Sequence, residues 1–193
     1  MNYKLILASN SPRRRELLAG LDLSFEVRVL PGIDESYPKS LIGGDIPLFI
    51  AKEKAMAYVS KLAADELLIT ADTIVWLDGQ VLEKPSDEQE ACRMLRQLSG
   101  KTHQVYTGVC LTTVDKQVAF SCCTDVTFAK LTDEEINHYV SRYRPFDKAG
   151  SYGVQEWIGY VGVESIHGSF YNVMGLPVQR LYQALKQNFN LNE

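Results

Sequence analysis

Short apolar runs alternate with amphipathic stretches along this chain, and this alternation constrains its fold more than any other feature. Residues 66–77 are an apolar, β-rich run that contains one aspartate, Asp72, whereas residues 86–100 carry apolar residues at helical spacing. Such an alternation predicts an α/β or mixed α+β protein. The 193 residues show no internal repeat and no linker, and we therefore expect one domain over residues 1–193.

The individual elements follow from their start and stop signals. Residues 4–8 predict a buried strand, after which Ser11 and Pro12 open a helix that Gly20 ends. Thr132 and the glutamate three residues later have the spacing of a capping box. Further helices are predicted at about 45–62 and 86–100 (opened by Ser86), from Thr132 onward and after Pro177, and further strands at 66–77, 104–114, 117–128, 157–163 and 169–174, with a loop over 145–155. The helix from Thr132 is predicted to bury Ile136, Tyr139, Val140 and Tyr143.

Charge and composition exclude several classes of partner. The formal net charge of -4 disfavours binding to a polyanion such as DNA. No apolar stretch approaches the ~18 residues that cross a bilayer, and the start of the chain lacks a signal-peptide cleavage pattern. We therefore expect a cytoplasmic protein that binds neither nucleic acid nor membranes. The four cysteines and three histidines lack the spacing of a zinc site and are expected to be structural.

A turn from strand to helix at residues 9–14 is a candidate phosphate site. It reads Ser-Asn-Ser-Pro-Arg-Arg. A helix N-terminus presents unpaired backbone N–H groups and a positive dipole end, and the hydroxyl of Ser9 and the guanidinium of Arg13 add donors for phosphate oxygens. The alternative is an ordinary capped helix whose arginines are solvated.

Two carboxylates are candidates for metal binding or base catalysis. Asp72 lies inside an apolar strand, where an unpaired carboxylate is costly to bury, so we expect it to face a polar cleft, a cation or a capping partner. The alternative is a bond to local backbone N–H groups at a bulge. Glu35 follows Asp34 in a loop and could supply a second metal carboxylate; the alternative is a solvated acidic pair.

The lysines differ in the direction that helix geometry gives them. At 100° per residue, Lys54 lies roughly 40° from the apolar Ile50, whereas Lys52 lies about 160° from it. Lys54 is therefore predicted to point inward, where it needs an anionic partner from the protein or from a substrate. Lys84 precedes a predicted helix start and could reach phosphate, with a solvated loop lysine as the alternative.

The glycine- and charge-rich segment 147–155 is a weaker candidate. Its glycines allow close backbone approach to a ligand, and Asp147, Lys148 and Gln155 offer metal, phosphate and base-edge contacts. The chain contains no Walker A, GxGxxG or GxSxG sequence. The common ATPase, dehydrogenase and hydrolase templates therefore have no support.

Taken in order, these segments resemble the Maf family of nucleotide pyrophosphatases. The matching segments are 7–14 (LASNSPRR), 34–35 (DE), 53–55 (EKA), 71–75 (ADTIV), 83–85 (EKP), 98–103 (LSGKTH), 147–150 (DKAG) with Tyr152 and Gln155, and 172–177 (NVMGLP). They span nearly the whole chain. Eight ordered segments at compatible spacing are far more specific than any one of them.

The resemblance implies an elongated, twisted mixed sheet flanked by helices, with a cleft between two lobes, similar to inosine triphosphate pyrophosphatases. It also implies cleavage of a nucleoside triphosphate between the α and β phosphates. Within the family, arginine, threonine and glutamine at the positions of Arg13, Thr73 and Gln155 mark the branch that acts on dTTP and UTP. The sequence departs from many relatives at residues 156–159, where Glu-Trp-Ile-Gly replaces a glycine-rich stretch.

These residues lead to an expected mechanism. A divalent cation, Mg²⁺ or Mn²⁺, is expected to be bound by Glu35 and Asp72, because such ions prefer hard oxygen ligands. Asp72 is expected to orient or deprotonate the attacking water, with Lys54 and Lys84 completing the catalytic set. The expected triphosphate contacts are Ser9, Arg13, Lys54, Lys84 and Lys148, and the expected base contacts are Thr73 and Gln155.

Two other functions compete with this one. The chain could be a regulator of cell division that binds nucleotides without turnover, a hypothesis supported only by the link of the family to septum formation. It could also be a broad hydrolase that removes modified nucleotides. The full set of carboxylates and lysines favours catalysis, since a mere binder needs no base. The sequence leaves open whether the chain forms a homodimer.

Overall fold

The structure, a computed structural model, describes residues 3–190. Strands and helices alternate along it, as the apolar pattern predicts. The strands are β1 (Lys4–Leu7), β2 (Phe25–Val27), β3 (Glu66–Leu77), β4 (Gln80–Leu82), β5 (Thr102–Thr112), β6 (Gln117–Phe128) and β7 (Val163–His167). The helices are α1 (Pro12–Ala19), α2 (Asp45–Met56), α3 (Glu88–Leu98), α4 (Asp133–Tyr143), α5 (Trp157–Gly162), α6 (Phe170–Met174) and α7 (Val178–Phe189). Short 3-10 turns span Val59–Lys61 and Ala149–Ser151.

Within residues 3–190 the strands form one seven-stranded mixed sheet. Its order is β2-β1-β3-β5-β6-β7, with β4 paired to β3. β1 runs parallel to β2 and to β3, whereas β4 is antiparallel to β3 and β7 to β6. A mixed sheet with helices confirms the predicted mixed α/β class. None of the helices in the described range has the length and apolar character of a membrane span.

The chain divides into two compact units. Unit 1 contains the residues up to Asp72, Thr107–Cys122 and the residues from Gly175 onward. Unit 2 contains Thr73–Tyr106 and Cys123–Met174.

The core of unit 1 lies between α2 and the parallel strands. Its buried cluster consists of Ile6, Ala51, Ala55, Tyr58, Leu68 and Cys110. The start of α2 lies against β5 at Gly108, where an added Cβ would be 2.4 Å from backbone atoms of Pro47 and Leu48. A glycine is therefore needed at Gly108 because backbone meets backbone there.

The first strand–helix unit forms as predicted. Leu7 at the end of β1 pairs with Ile69 of β3, and β3 continues beyond this pair to Leu77. The hydroxyl of Ser11 accepts a hydrogen bond from the N–H of Arg14, Pro12 begins α1, and Gly20 caps its end. Ser9 thus follows the carboxyl end of β1, and Asp72 lies on the neighbouring strand β3, three residues after the last residue paired with β1.

In unit 2, α3 packs against α4. The predicted apolar face of α3 is buried, at Ala91, Met94, Leu95 and Leu98. The capping box at Thr132 is also confirmed, since its side chain accepts from the N–H of Glu135 while the Glu135 carboxylate accepts from the N–H of Thr132. Tyr139 is buried as predicted, whereas Tyr143 is only half-buried.

Two predicted helix ends were wrong. The second helix ends at Met56, not near Leu62, because the hydroxyl of Tyr58 accepts from the N–H of Leu30 (2.8 Å) and donates to the carbonyl of Arg28 (3.0 Å). This contact, distant in sequence, coincides with the change from α-helix to a 3-10 turn. The third helix is capped by Asp87, whose carboxylate accepts from the N–H of Glu90 (2.8 Å), and not by Ser86.

The predicted strands at 157–163 and 169–174 were also wrong. Residues 157–162 and 170–174 are the helices α5 and α6, the strand in this region is β7, and the predicted loop over 145–155 contains a 3-10 turn. Aromatic and β-branched residues favour strands, but contacts within three to five residues along the chain accompany the helices here. Gly159 lies so close to Val154 that an added Cβ would be 1.7 Å from its carbonyl oxygen. The hydroxyl of Ser169 accepts from the N–H of Asn172 (3.3 Å) at the start of α6.

Candidate functional site

Three residues of unit 1 form an ionic cluster. The Nζ atom of Lys54 lies 2.9 Å from Oδ1 of Asp72 and 2.8 Å from Oε1 of Glu35. The side chains of Lys54 and Asp72 are only 13% and 14% exposed, and that of Glu35 is 54% exposed. Asp72 in its apolar strand therefore faces a cation, which was one of the predicted arrangements.

Helix geometry places the lysine of this cluster. Lys54 lies on the side of α2 that carries the buried Ala51 and Ala55, whereas Lys52 is exposed. The inward and outward directions predicted for these two lysines are both confirmed. The predicted anionic partner of Lys54 is supplied by protein carboxylates in this structure.

The loop that carries Glu35 is held at two points. Its first residues are fixed by the hydroxyl of Tyr58, which bonds to the backbone of Arg28 and Leu30. Asp34 closes a local turn by accepting from the N–H (2.8 Å) and the hydroxyl (2.7 Å) of Ser36, which lowers the pKa of Asp34. Of the acidic pair, Asp34 therefore shapes the loop and Glu35 reaches Lys54.

The start of α1 supplies a second group of polar atoms in unit 1. Ser9 is buried, and its hydroxyl accepts from the N–H of Ser11 (3.2 Å). Arg14 donates from Nε to the carbonyl of Gly175 (2.8 Å) and from an Nη atom to that of Ala71 (3.0 Å). Burial lowers the pKa of Arg14, and the charge of Asp72 opposes that effect. Arg13, the predicted ligand contact, is half-buried beside it.

A second ionic cluster lies in unit 2. The Nζ atom of Lys148 lies 2.8 Å from Oδ1 of Asp147 and 3.1 Å from Oε1 of Glu156. The other oxygen of Glu156 accepts from the hydroxyl of Tyr139, which itself accepts from the N–H of Gly153 (3.0 Å). Burial and the bond to Glu156 raise the pKa of Tyr139 well above its ordinary value.

The remaining predicted site residues of unit 2 differ in burial. The side-chain oxygen of Gln155 is buried and, among the described residues, has no hydrogen-bond partner. Thr73 is half-buried on β3. Lys84 is exposed, and the carbonyl of the preceding Glu83 accepts from the N–H of Gly150 (3.1 Å). Within residues 3–190 no hydrogen bond or ion pair joins the side chains of Lys84, Lys148 and Gln155 to one another.

His103 and Tyr152 form a buried pair in unit 2. Nε2 of His103 lies 2.7 Å from the hydroxyl of Tyr152, and both rings make edge contacts with Phe128. Burial lowers the pKa of His103 from 6.5 to about 4 and raises that of Tyr152. His103 and Tyr152 are therefore both uncharged, and their contact anchors the segment that contains Lys148 and Gln155. This agrees with a structural role for the histidine.

Glu35 and Asp72 are the two carboxylates that meet where the metal is expected. No group of three or more His, Cys, Asp or Glu side chains within residues 3–190 is arranged to hold a metal ion. Glu35 and Asp72 nevertheless converge on one cationic atom, at 2.8 and 2.9 Å. One or two carboxylates completed by substrate oxygens and water suit Mg²⁺, and the donor set fits an ion that is bound together with its substrate.

Four residues of these clusters were missed as site residues from the sequence. Arg14 lies three and four residues before the buried Leu17 and Leu18, so helical spacing could have placed it on the inward face. Tyr58 is buried just after α2 and Tyr139 is buried within α4, and the sequence gives neither tyrosine a sign beyond that of a core residue. Glu156 was noted as a departure from the family pattern, and no local signal connects it with Lys148.

The fold and the two ionic clusters define an α/β protein whose carboxylates, lysines and arginines suit an anionic, phosphate-bearing ligand. The family model described as "Maf-like protein" matches residues 4–188. The chain therefore belongs to the Maf-like family, which confirms the resemblance found in its motifs.

Relatives agree over nearly the whole chain. A dTTP/UTP pyrophosphatase from Phocaeicola vulgatus is 64% identical over 185 residues, which cover 96% of either chain. One from Porphyromonas gingivalis strain W83 is 58% identical, covering 95% of this chain and 94% of the relative. One from Flavobacterium psychrophilum is 51% identical with the same coverage. The structure of a HAM1 protein from Coxiella burnetii has a TM-score of 0.50 and covers 96% of this chain and 99% of its own, at 12% identity, and so shares the fold.

Proposed function

We propose that this protein is an enzyme that hydrolyses dTTP and UTP to the nucleoside monophosphate and pyrophosphate. The relatives named for this activity, at 51–64% identity over nearly the whole chain, support the proposal. The single observation that carries it is the position of Asp72, a mostly buried carboxylate within an apolar strand, beside a lysine that also contacts a second carboxylate. A binding protein without turnover has no need of such a carboxylate.

Asp72 is proposed as the base of the reaction. Its carboxylate would accept a proton from the attacking water, whose oxygen forms a bond to the α phosphorus while the bond from that phosphorus to the bridging oxygen breaks. The bridging oxygen leaves with the β and γ phosphates as pyrophosphate. Lys54 donates a hydrogen bond to the Asp72 carboxylate (2.9 Å) and so holds its orientation before substrate arrives.

Glu35 and Asp72 would hold a divalent cation, Mg²⁺ or Mn²⁺. When bound, such a cation would offset the charge of the triphosphate and make the α phosphorus easier to attack. The convergence of both carboxylates on one cationic atom supports this assignment.

Cationic, hydroxyl and backbone groups are proposed to contact the phosphates. They are the hydroxyl of Ser9, the guanidinium of Arg13, the N-terminus of α1 and the ammonium groups of Lys84 and Lys148. Such donors stabilise the charge that develops on the leaving pyrophosphate.

Thr73 and Gln155 are proposed to recognise the base. An amide can pair with the O4 and N3–H edge that uracil and thymine share. The side-chain oxygen of Gln155, buried without a partner among the described residues, supports this assignment, because a base N–H would satisfy it. We also propose a cytoplasmic location, where these nucleotides are used.

The test is pyrophosphate release from a panel of canonical and modified nucleoside triphosphates, with Mg²⁺, with Mn²⁺ and with excess chelator. We expect dTTP and UTP to be the best substrates, monophosphate and pyrophosphate to be the products, and activity to disappear on chelation. A preference for modified nucleotides would favour the broad hydrolase. Tight nucleotide binding with no product would favour the regulator.

A further inference from the structure

The surroundings of Lys148 contain a carboxylate that the proposed mechanism does not use. Glu156 directly follows Gln155 and is the residue before the first turn of α5. Its Oε1 atom lies 3.1 Å from the Nζ atom of Lys148, and its side chain is 20% exposed. Lys148 is itself only 10% exposed, so its ammonium group must be satisfied by neighbouring acceptors.

The two acidic partners of Lys148 are held very differently. The side chain of Asp147 is 58% exposed and belongs to the residue next to the lysine. Glu156, in contrast, has its second oxygen fixed by the hydroxyl of the buried Tyr139. Its backbone N–H donates to the carbonyl of Gly153 (2.9 Å), and its carbonyl accepts from the N–H of Gly159 (2.9 Å). Glu156 is therefore the rigid partner.

Gly153 shows that the contact between Lys148 and Glu156 is closely packed. A Cβ added at Gly153 would lie 2.9 Å from Cδ of Glu156 and 3.0 Å from Cε of Lys148. The N–H of Gly153 also donates to the hydroxyl of Tyr139, which ties the same turn to α4. The lysine stem, the glutamate and the tyrosine thus form one connected group.

We infer that Glu156, held by Tyr139, is a positioning residue that aims the ammonium group of Lys148 at the substrate. A lysine ammonium has three N–H donors, and within residues 3–190 two protein carboxylates accept from that of Lys148. Because the aliphatic part of the Lys148 side chain is fixed, the third N–H of its ammonium group keeps a defined direction. A phosphate oxygen in that direction can accept a hydrogen bond from it. The inference rests on the proposed function, because it assigns Lys148 to the phosphates.

A positioning role for Glu156 has different consequences for turnover and for substrate binding. A fixed carboxylate beside the lysine repels a triphosphate, so its removal should not weaken substrate binding. Its removal should leave Lys148 paired only with the exposed Asp147, and a less ordered ammonium stabilises the transition state less well. A positioning role therefore predicts a lower kcat without a higher KM.

The first experiment measures steady-state pyrophosphate release from dTTP by Glu156→Ala, Lys148→Ala and the double variant, with Glu164→Ala as the control. Glu164 is an exposed glutamate in the same unit. We expect Glu156→Ala to lower kcat about tenfold with KM unchanged or lower, and Glu164→Ala to match wild type. When Lys148 is already alanine, adding Glu156→Ala should change kcat less than about twofold. Tyr139→Phe should also lower kcat, and its rate is measured under conditions in which the variant is fully folded.

The second experiment does not depend on catalysis. The acylation rate of Lys148 by acetic anhydride, followed by mass spectrometry and normalised to the exposed Lys130, reports how firmly the ammonium group is held. We expect at least a threefold rise in Glu156→Ala and none in Glu164→Ala.

An unchanged acylation rate in Glu156→Ala would overturn the inference whatever the activity. An equal loss of kcat with and without Lys148, or a loss that merely follows the folded fraction, would do the same. If wild type releases no pyrophosphate from dTTP or UTP, the proposed function fails, and the acylation result still decides whether Glu156 holds Lys148.

Discussion

Lys54 and Asp72 form a mostly buried ion pair between α2 and β3, with 2.9 Å between Nζ and Oδ1. Removing one partner of such a pair leaves the other charge in a poorly solvated place, which is costly. Glu35 also contacts Lys54 and so keeps the lysine paired when Asp72 is altered. The cluster can therefore lose one carboxylate more easily than it can lose its lysine.

Replacement of Lys54 should separate the two lysines of α2. We expect Lys54→Ala to lower pyrophosphate release by an order of magnitude or more, because it removes the charge beside Asp72 and a donor for phosphate. Lys52→Ala is the matched control and should be nearly silent, since Lys52 is exposed. Steady-state rates of both variants, with folding checked by circular dichroism, give the comparison. Equal effects would contradict the assignment of Lys54 to the site.

Arg14 should stabilise the fold because its guanidinium donates hydrogen bonds to two backbone carbonyls at once. It bonds to the carbonyls of Gly175 and Ala71 at 2.8 and 3.0 Å, which a single ammonium group cannot reproduce. We expect Arg14→Lys to lower the free energy of unfolding by roughly 1–3 kcal/mol, and the exposed Arg15→Lys to leave it unchanged. Denaturant titration measures both. A variant with full stability but weak substrate binding would instead indicate that Arg14 serves as a phosphate ligand.

His103 should make stability depend on pH. Its pKa is about 4 in the folded protein and 6.5 as an ordinary value, because burial disfavours the charged ring. Between these values the unfolded chain binds more protons, so the free energy of unfolding is highest above pH 6.5 and falls toward pH 4, by on the order of 3 kcal/mol. His103→Gln should lose this component. Urea titrations at several pH values test it, and parallel curves for both proteins would exclude the assignment.

Gly108 should tolerate no side chain. A Cβ there would lie 2.4 Å from backbone atoms of Pro47 and Leu48, which cannot yield as a flexible side chain would. We expect Gly108→Ala to cost roughly 2–3 kcal/mol of stability. Gly20→Ala is the control, because the nearest atom to its added Cβ is 3.4 Å away. Similar melting temperatures for the two variants would show that α2 and β5 are not packed as described.

The sequence predicted best where a local pattern and tertiary packing agree. Strand 66–77, the serine cap of α1 and the capping box at Thr132 all carry short-range signals that the structure retains. The inward direction of Lys54 followed from helical spacing alone. In these places each residue is fixed mainly by neighbours within one or two turns.

The sequence failed where contacts without a periodic pattern override local preference. The end of α2 coincides with the hydrogen bond between the hydroxyl of Tyr58 and the carbonyl of Arg28, thirty residues away, and α5 coincides with the close approach of Gly159 to Val154, five residues away. Neither contact leaves a periodic signal. The pairing of Lys148 with Glu156 belongs to the same class, because the seven residues between the two follow neither helical nor strand periodicity.

The central claim is that Asp72 is the base and a metal ligand of a pyrophosphatase. Asparagine is close in size to aspartate but loses the charge and the proton acceptor. Lys54 would remain paired with Glu35, so the fold should survive.

The most direct measurement is pyrophosphate release from dTTP and UTP by Asp72→Asn, with melting temperature and nucleotide binding measured on the same preparation. We expect a folded protein that binds nucleotide and turns over at least about a hundredfold more slowly than wild type. A well-folded Asp72→Asn protein that keeps more than about a tenth of wild-type turnover would contradict it.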